Sequence, residues 1–144
     1  MDKAQIESVI RAAQFCRLGM VDDGQPYVVA VCFGYRDNVL YFHGKQRGRK
    51  MEALRKNNRV CVEFDVDAEP VRRELACKWS FKYRSVIGFG RATVLEDAEE
   101  KRRGLDLIMR QFEDRDWTFP DESLARTAVV RVEFDELTGK SAGY

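Results

Sequence analysis

The chain is poor in the residues that build metal clusters and disulfide frameworks. It holds one histidine, His43, and four cysteines, Cys16, Cys32, Cys61 and Cys77, spaced 16, 29 and 16 residues apart with no C-x-x-C pair. That argues against zinc sites and thioredoxin-like redox chemistry. Cys32 and Cys61 fall in apolar runs, where a free thiol behaves as a small buried hydrophobe; Cys16 and Cys77 are left as thiols open to solvent, with nothing nearby to lower their pKa. No apolar run approaches the ~20 residues of a membrane span, and the charged start Met1-Asp2-Lys3-Ala4-Gln5-Ile6-Glu7 lacks the pattern of a secretion signal. A cytoplasmic protein without membrane contact is the expectation. Charge of one sign is missing too: 25 Lys plus Arg against 24 Asp plus Glu leaves a net +1, no global field to gather nucleic acid, so any anion site has to be local. No G-x-G-x-x-G follows a strand, so a nicotinamide cofactor would only dock transiently.

What is present describes one domain over residues 1–144, with 44% hydrophobic and 34% charged residues, ordinary for a globular chain. Ile6, Val9, Ile10 and Ala13 follow the spacing of a half-buried helix over about 3–14. Phe15 to Val21 reads as a strand, turned at Asp22-Asp23-Gly24-Gln25-Pro26 into a β-branched and aromatic run from Tyr27 to Tyr35. Arg36-Asp37-Asn38 then separates that run from Val39 to His43, which predicts two adjacent antiparallel strands. A short helix follows over Gly48 to Asn57. Arg59 to Val66 alternates as a strand with one wet face, and Asp67 to Glu74 is polar. Cys77 to Leu95 forms a long strand whose Gly88 and Gly90 signal a bulge or a close approach of ligand or backbone. Ala98 to Phe112 carries Leu105, Ile108, Met109 and Phe112 on one helical stripe. A last strand, Thr127 to Phe134, ends in the glycine-bearing tail Leu137 to Gly143. Six strands in hairpin connection favour a closed or nearly closed antiparallel barrel, because closure removes sticky edges, with a sandwich as the alternative.

The stretch His43-Gly44-Lys45-Gln46-Arg47-Gly48-Arg49-Lys50 carries the chemistry. A strand runs into two glycines and four cations and then into a helix start. Helix-start N–H groups carry partial positive charge, glycine lets backbone approach closely, and arginine grips two oxygens of a phosphate at once. Two readings fit: solvated charges on a turn and an exposed helix, or a phosphate site. Cations are disfavoured at a helix N-terminus unless an anion joins them, which favours the second.

Phe15-Cys16-Arg17-Leu18-Gly19, Pro26-Tyr27-Val28-Val29, Leu40-Tyr41-Phe42-His43-Gly44, Gly48-Arg49-Lys50 and Tyr83-Arg84-Ser85-Val86-Ile87-Gly88 occur in that order. In this the chain resembles the pyridoxamine-5′-phosphate-oxidase-like flavoproteins, and within them the nitroimidazole-resistance (Nim) branch, over about residue 5 to Gly139-Lys140. The resemblance implies a mainly β fold with flanking helices, a six-stranded antiparallel split β-barrel, and a homodimer holding FMN between its subunits. Carried onto matching positions, it implies that Val28, Val29, Ala30 and Val31 run along the flavin, that Phe42 and His43 meet its ring and ribityl chain, that Arg49 and Lys50 bind the phosphate, and that Gly44, Gly48, Ser85 and Val86 also reach the cofactor. In related proteins an aromatic residue of the other subunit often covers the flavin, a place Trp79 or Trp117 could take; from the residues alone each is a core or interface tryptophan.

By the same resemblance His43 lies beside the flavin, as a hydrogen-bond partner or as a proton donor to a reduced substrate; from the residues alone it would be a half-buried histidine fixing the turn. The implied function is an oxidoreductase passing electrons from a reductant through FMN to a small electron-poor acceptor, nitroaromatic or quinone. A flavin-binding or electron-transfer module without its own substrate is the alternative, as is a related cofactor, deazaflavin or haem. Oxidation of pyridoxamine 5′-phosphate fits less well, since the tail from Leu137 to Tyr144 offers only Lys140 for a substrate phosphate.

Overall fold

The computed structural model describes all 144 residues, Met1–Tyr144. In chain order the elements are helix α1 (Lys3–Ala12), strands β1 (Cys16–Asp22), β2 (Gln25–Val31), β3 (Gly34–Arg36) and β4 (Val39–Lys45), helix α2 (Arg49–Lys56), strand β5 (Arg59–Val71), a single 3₁₀ turn (Ala76–Lys78), strand β6 (Ser80–Val94), helices α3 (Ala98–Phe112) and α4 (Asp121–Arg126), and strand β7 (Thr127–Ala142). The strands form one antiparallel sheet of seven, in the order β2-β1-β5-β6-β7-β4-β3.

The expected six strands become seven because the run Tyr27 to Tyr35 breaks at Cys32 and Phe33. Its first part pairs with β1, its last part with β4, and these two pieces are the opposite edges of the sheet. Phe33 turns fully inward and packs edge-on against Phe64 with ring centroids 5.2 Å apart. Gly34 sits so close to α3 that a Cβ there would stand 2.4 Å from the Leu107 carbonyl carbon. Only three Cα steps separate Val31 from Gly34, at most about 11 Å at 3.8 Å per step. The two edges therefore approach each other at this point, and the sheet curls into a barrel left unbonded along one seam.

Inside the barrel lies a core of 23 buried residues, with Leu18, Leu40, Phe42, Val62 and Val130 fully enclosed. α1 starts on a capping box in which Asp2 accepts from the Gln5 amide at 2.9 Å while its own amide donates to the Gln5 side chain. Its buried stripe is Ile6, Val9 and Ile10. The supposed tail is strand: β7 continues through Leu137 to Ala142 and pairs with β6, and Gly139 lies under Met1 and Ile6 of the N-terminal segment. β5 likewise runs five residues past Val66, through Val71, beyond a register shift.

Gly88 and Gly90 answer packing rather than a ligand. A Cβ on Gly88 would meet the Phe134 ring at 2.6 Å, one on Gly90 the Glu133 carbonyl oxygen at 2.3 Å, and the β6–β7 register shifts between Phe89 and Gly90. In α3 the buried stripe is Lys101, Gly104, Leu105 and Ile108, whereas Phe112 is exposed. α4 was not legible, since its six residues bury only Leu124. No helix is long and apolar enough to cross a membrane.

Candidate functional site

β4 leaves the barrel at Lys45 and the chain turns through Gln46, Arg47 and Gly48 into α2. Gly48 has φ +130°, a conformation side-chain-bearing residues avoid, and it caps the helix without any side-chain acceptor. The first amides of α2 thus have no intrahelical partner. The turn itself is held rigidly: Gln46 Nε2 donates to the Ala125 carbonyl at 2.7 Å, and Arg55 Nη1 to the Gln46 carbonyl at 3.1 Å.

Of the four cations here, Lys45, Arg47, Arg49 and Lys50, only Arg49 has a carboxylate partner. Its Nε donates to Asp22 Oδ2 at 2.6 Å and its guanidinium lies 4.0 Å over the Tyr27 ring, so α2 is tied to the β1–β2 hairpin. The Nη atoms of Arg49 make no further bond. Lys50 is half-buried, its Nζ 5.4 Å from the centroid of the Phe42 ring. Burial pushes its pKa down, with no carboxylate to oppose the shift. His43 stands on the outer face of β4, opposite Val129 of β7. Although its surface area is largely exposed, the surrounding protein lowers its pKa, and the Lys50 charge adds to the effect. Both effects favour the neutral imidazole.

The other residues singled out in the sequence divide by pleat. On β2, Val28 and Ala30 face outward and are exposed, Val29 points inward half-buried, and Val31 is buried. Phe42 and Val86 are fully buried core residues, so a ligand could meet only their backbone; period-two alternation turns each of them inward. Ser85 is not near the His43–Lys50 stretch. It pairs with Lys140 of β7 while His43 pairs with Val129, eleven residues apart along one strand, a contour length of roughly 36 Å at 3.3 Å per residue. What the structure brings together is His43, Gly44, Gly48, Arg49 and Lys50, joined by Asp22 and Tyr27. The last two escaped the sequence reading, because an ion pair spanning 27 residues leaves no local pattern.

The outer face of the sheet carries an apolar row in which Val28 pairs with Gly19, Gly19 with Cys61 and Cys61 with Phe89. Val28 is 61% exposed and Phe89 48%, and together with Val21 and Tyr27 they line a cleft of about 380 Å³. Neither tryptophan lies in the core: Trp79, at the outer end of the β5–β6 hairpin, donates to the Arg73 carbonyl, and Trp117 is stacked under Arg115. Cys16 is fully buried, with its thiol pushed up to about 12 by desolvation, which removes it as a solvent-facing redox group. Cys77 is exposed.

A family model described as pyridoxamine 5′-phosphate oxidase matches residues 2–141. Among solved structures the chain is similar to a candidate 5-nitroimidazole antibiotic resistance protein of Bacteroides thetaiotaomicron, with 37% identity, 96% of this chain and 82% of that one covered, and a TM-score of 0.87. It shares its fold with the FAD and heme binding protein of Mycobacterium smegmatis, at 22% identity, 99% and 72% coverage and a TM-score of 0.86. The same holds for the flavocytochrome Anf3 of Azotobacter vinelandii, at 22% identity, 99% and 68% coverage and a TM-score of 0.85. No curated protein sequence matches the chain.

Proposed function

The chain belongs to the pyridoxamine 5′-phosphate oxidase family, and from that premise we propose that it is a homodimeric FMN-binding flavoprotein of the cytoplasm, an oxidoreductase passing electrons from a reductant to a small electron-poor acceptor of the nitroaromatic or quinone type. The observation that carries the reading is the half-buried, acid-free ammonium of Lys50 beside the uncapped first turn of α2. A desolvated cation without a counter-ion is costly, and a dianionic phosphate removes that cost while accepting from the free amides.

In this reading Lys50, the free Nη edge of Arg49 and the amides after Gly48 hold the FMN phosphate. Gly44 keeps the strand end low: a Cβ there would stand 3.3 Å from Met51 Cε and 3.5 Å from Lys50 Nζ. The outward side chains Val28 and Ala30 offer an apolar wall for the ring. When bound, FMN supplies electron transfer in one- or two-electron steps. His43 hydrogen-bonds the ring side or, in its protonated form, passes a proton to the reduced acceptor; a phosphate beside Lys50 screens the charge that disfavours that form. The exposed apolar residues Val28, Ile87 and Phe89 form the face for a second copy of the chain. Because Ser85 lies so far from His43 in one protomer, it serves the site of the other subunit.

The test is the absorbance spectrum of freshly purified protein, followed by release and identification of the chromophore. Bound FMN is expected, with flavin bands in the blue and near ultraviolet. A colourless protein that ignores added FMN overturns the reading, and a haem spectrum or released FAD replaces the cofactor. Mixing reduced protein with a nitroimidazole or a quinone then separates the oxidoreductase from a module without a substrate: reoxidation no faster than that of free reduced FMN supports the module. Sedimentation of a Phe89→Glu variant reads the dimer, which is expected to dissociate.

A further inference from the structure

Behind the Gly44–Gly48 turn, away from Arg49 and Lys50, a second cleft of about 710 Å³ opens between the C-terminal turn of α2 and the start of α3. Lys101 is in its wall and is the one buried charged residue of the chain, 7% exposed. A buried ammonium has three N–H groups to satisfy and is stabilised best by an anion. Lys101 Nζ donates to a single backbone carbonyl, that of Leu124, and forms no ion pair. The acids around it are engaged elsewhere: Asp97 caps the Glu100 amide, Glu99 pairs with Arg102 and Glu100 with Arg131. Lys101 also sits in the first turns of α3, where the helix field opposes a cation.

Arg55, in the same lining, is the second cation without a carboxylate; its Nη1 donates only to the Gln46 carbonyl. Asn58 and Thr93 add neutral polar groups, and the sole acid in the lining, Glu96, pairs with neither cation. Two uncompensated cations, one of them buried, face a space larger than a bare ion needs. We propose that this cleft binds a small oxyanion-bearing metabolite, its oxyanion between Lys101 and Arg55 and a hydroxyl or amino group of the same molecule donating to Glu96. This site is separate from the proposed flavin site, and neither reading depends on the other.

Inorganic phosphate and acetate serve as probes in an NMR titration of the full-length protein, which distinguishes a phosphate from a carboxylate ligand. Saturable shifts are expected at the side-chain amides of Gln46 and Asn58 and at the Thr93 backbone amide. They persist in the Arg49→Ala/Lys50→Ala double variant and weaken about tenfold or more in Lys101→Met and in Arg55→Gln, each of which removes a charge-assisted hydrogen bond. Arg55 is exposed, so Arg55→Gln folds even if Lys101→Met does not. Shifts that are absent, that are confined to residues 48–51, or that are indifferent to Arg55→Gln overturn the proposal; a Lys101→Met protein that melts lower with unchanged phosphate affinity makes Lys101 a tie between α3 and α4 and nothing more.

Discussion

The starts of α2 and α3 solve the same local problem in opposite ways. α3 opens on Asp97, whose side chain accepts from the Glu100 amide at 2.9 Å, and continues with Glu99 and Glu100, acids where the helix field favours them. α2 opens on Gly48, has no side-chain cap, and places Arg49 and Lys50 where the field disfavours cations; Glu52 is the one acid of its first turn, and Asp22 of the β1–β2 hairpin pairs with Arg49 but not with Lys50. One start is complete within the chain; the other lacks a cap, and in the function proposed above an anion from outside completes it. Helix propensity does not separate them, but the charge and the cap do.

The largest effect is expected from the Arg49→Ala/Lys50→Ala double variant. FMN affinity is expected to fall about a hundredfold, near tenfold for each charge-assisted hydrogen bond removed, as read by fluorescence titration; unchanged affinity puts the phosphate elsewhere. Next comes Gly48→Ala, where φ +130° strains any side-chain-bearing residue by about 1–3 kcal/mol. Its cost should appear in chemical denaturation, together with weaker FMN binding. Asp97→Ala is the counterpart at α3. It should cost about 1 kcal/mol of stability and leave FMN affinity alone; a matching loss of FMN affinity would erase the distinction between the two helix starts.

Smaller effects sharpen the electrostatics. Lys50→Gln removes a charge that lowers the His43 pKa, so the His43 ring signals should titrate at higher pH than in the parent. Stability should follow the sign of the same shift. Because the folded state holds His43 below its unfolded value of 6.5, the unfolded chain takes up its proton first on acidification. Stability attributable to this residue is complete above that value, is lost as pH falls from it toward the folded value, and is flat below both. His43→Gln should remove that part of the slope, and an unchanged pH profile would show that the imidazole is solvated like any surface histidine.

Much of this was legible in the residues. The bounds of α3, the two glycines flanking the cation-rich turn and the alternation of β5 follow from local propensity and period. The break at Cys32-Phe33 was not legible, since an unbroken β-branched and aromatic run looks like one strand and only the depth of the barrel draws Phe33 inward. Nor was the exposure of Phe112: a helical stripe gives spacing but not where the neighbouring strands end. At the site, His43 through Lys50 could be singled out, yet the Asp22–Arg49 pair and the distance of Ser85 from His43 depend on which strands become neighbours.

Local residue pattern settled the kind of chain and the place of its unbalanced charge: antiparallel strands with flanking helices, one histidine at a strand end, and cations at a helix start with a glycine for a cap. These are properties of residues within a few positions of each other, where backbone preference and helix field act directly. Tertiary structure decided which of those charges lack partners, which of Val28 to Val31 reach the surface, and that Lys101 is buried without an acid. Those outcomes depend on contacts between residues far apart in sequence, and desolvation, which makes an unpaired charge costly, arises only once the barrel has closed around it.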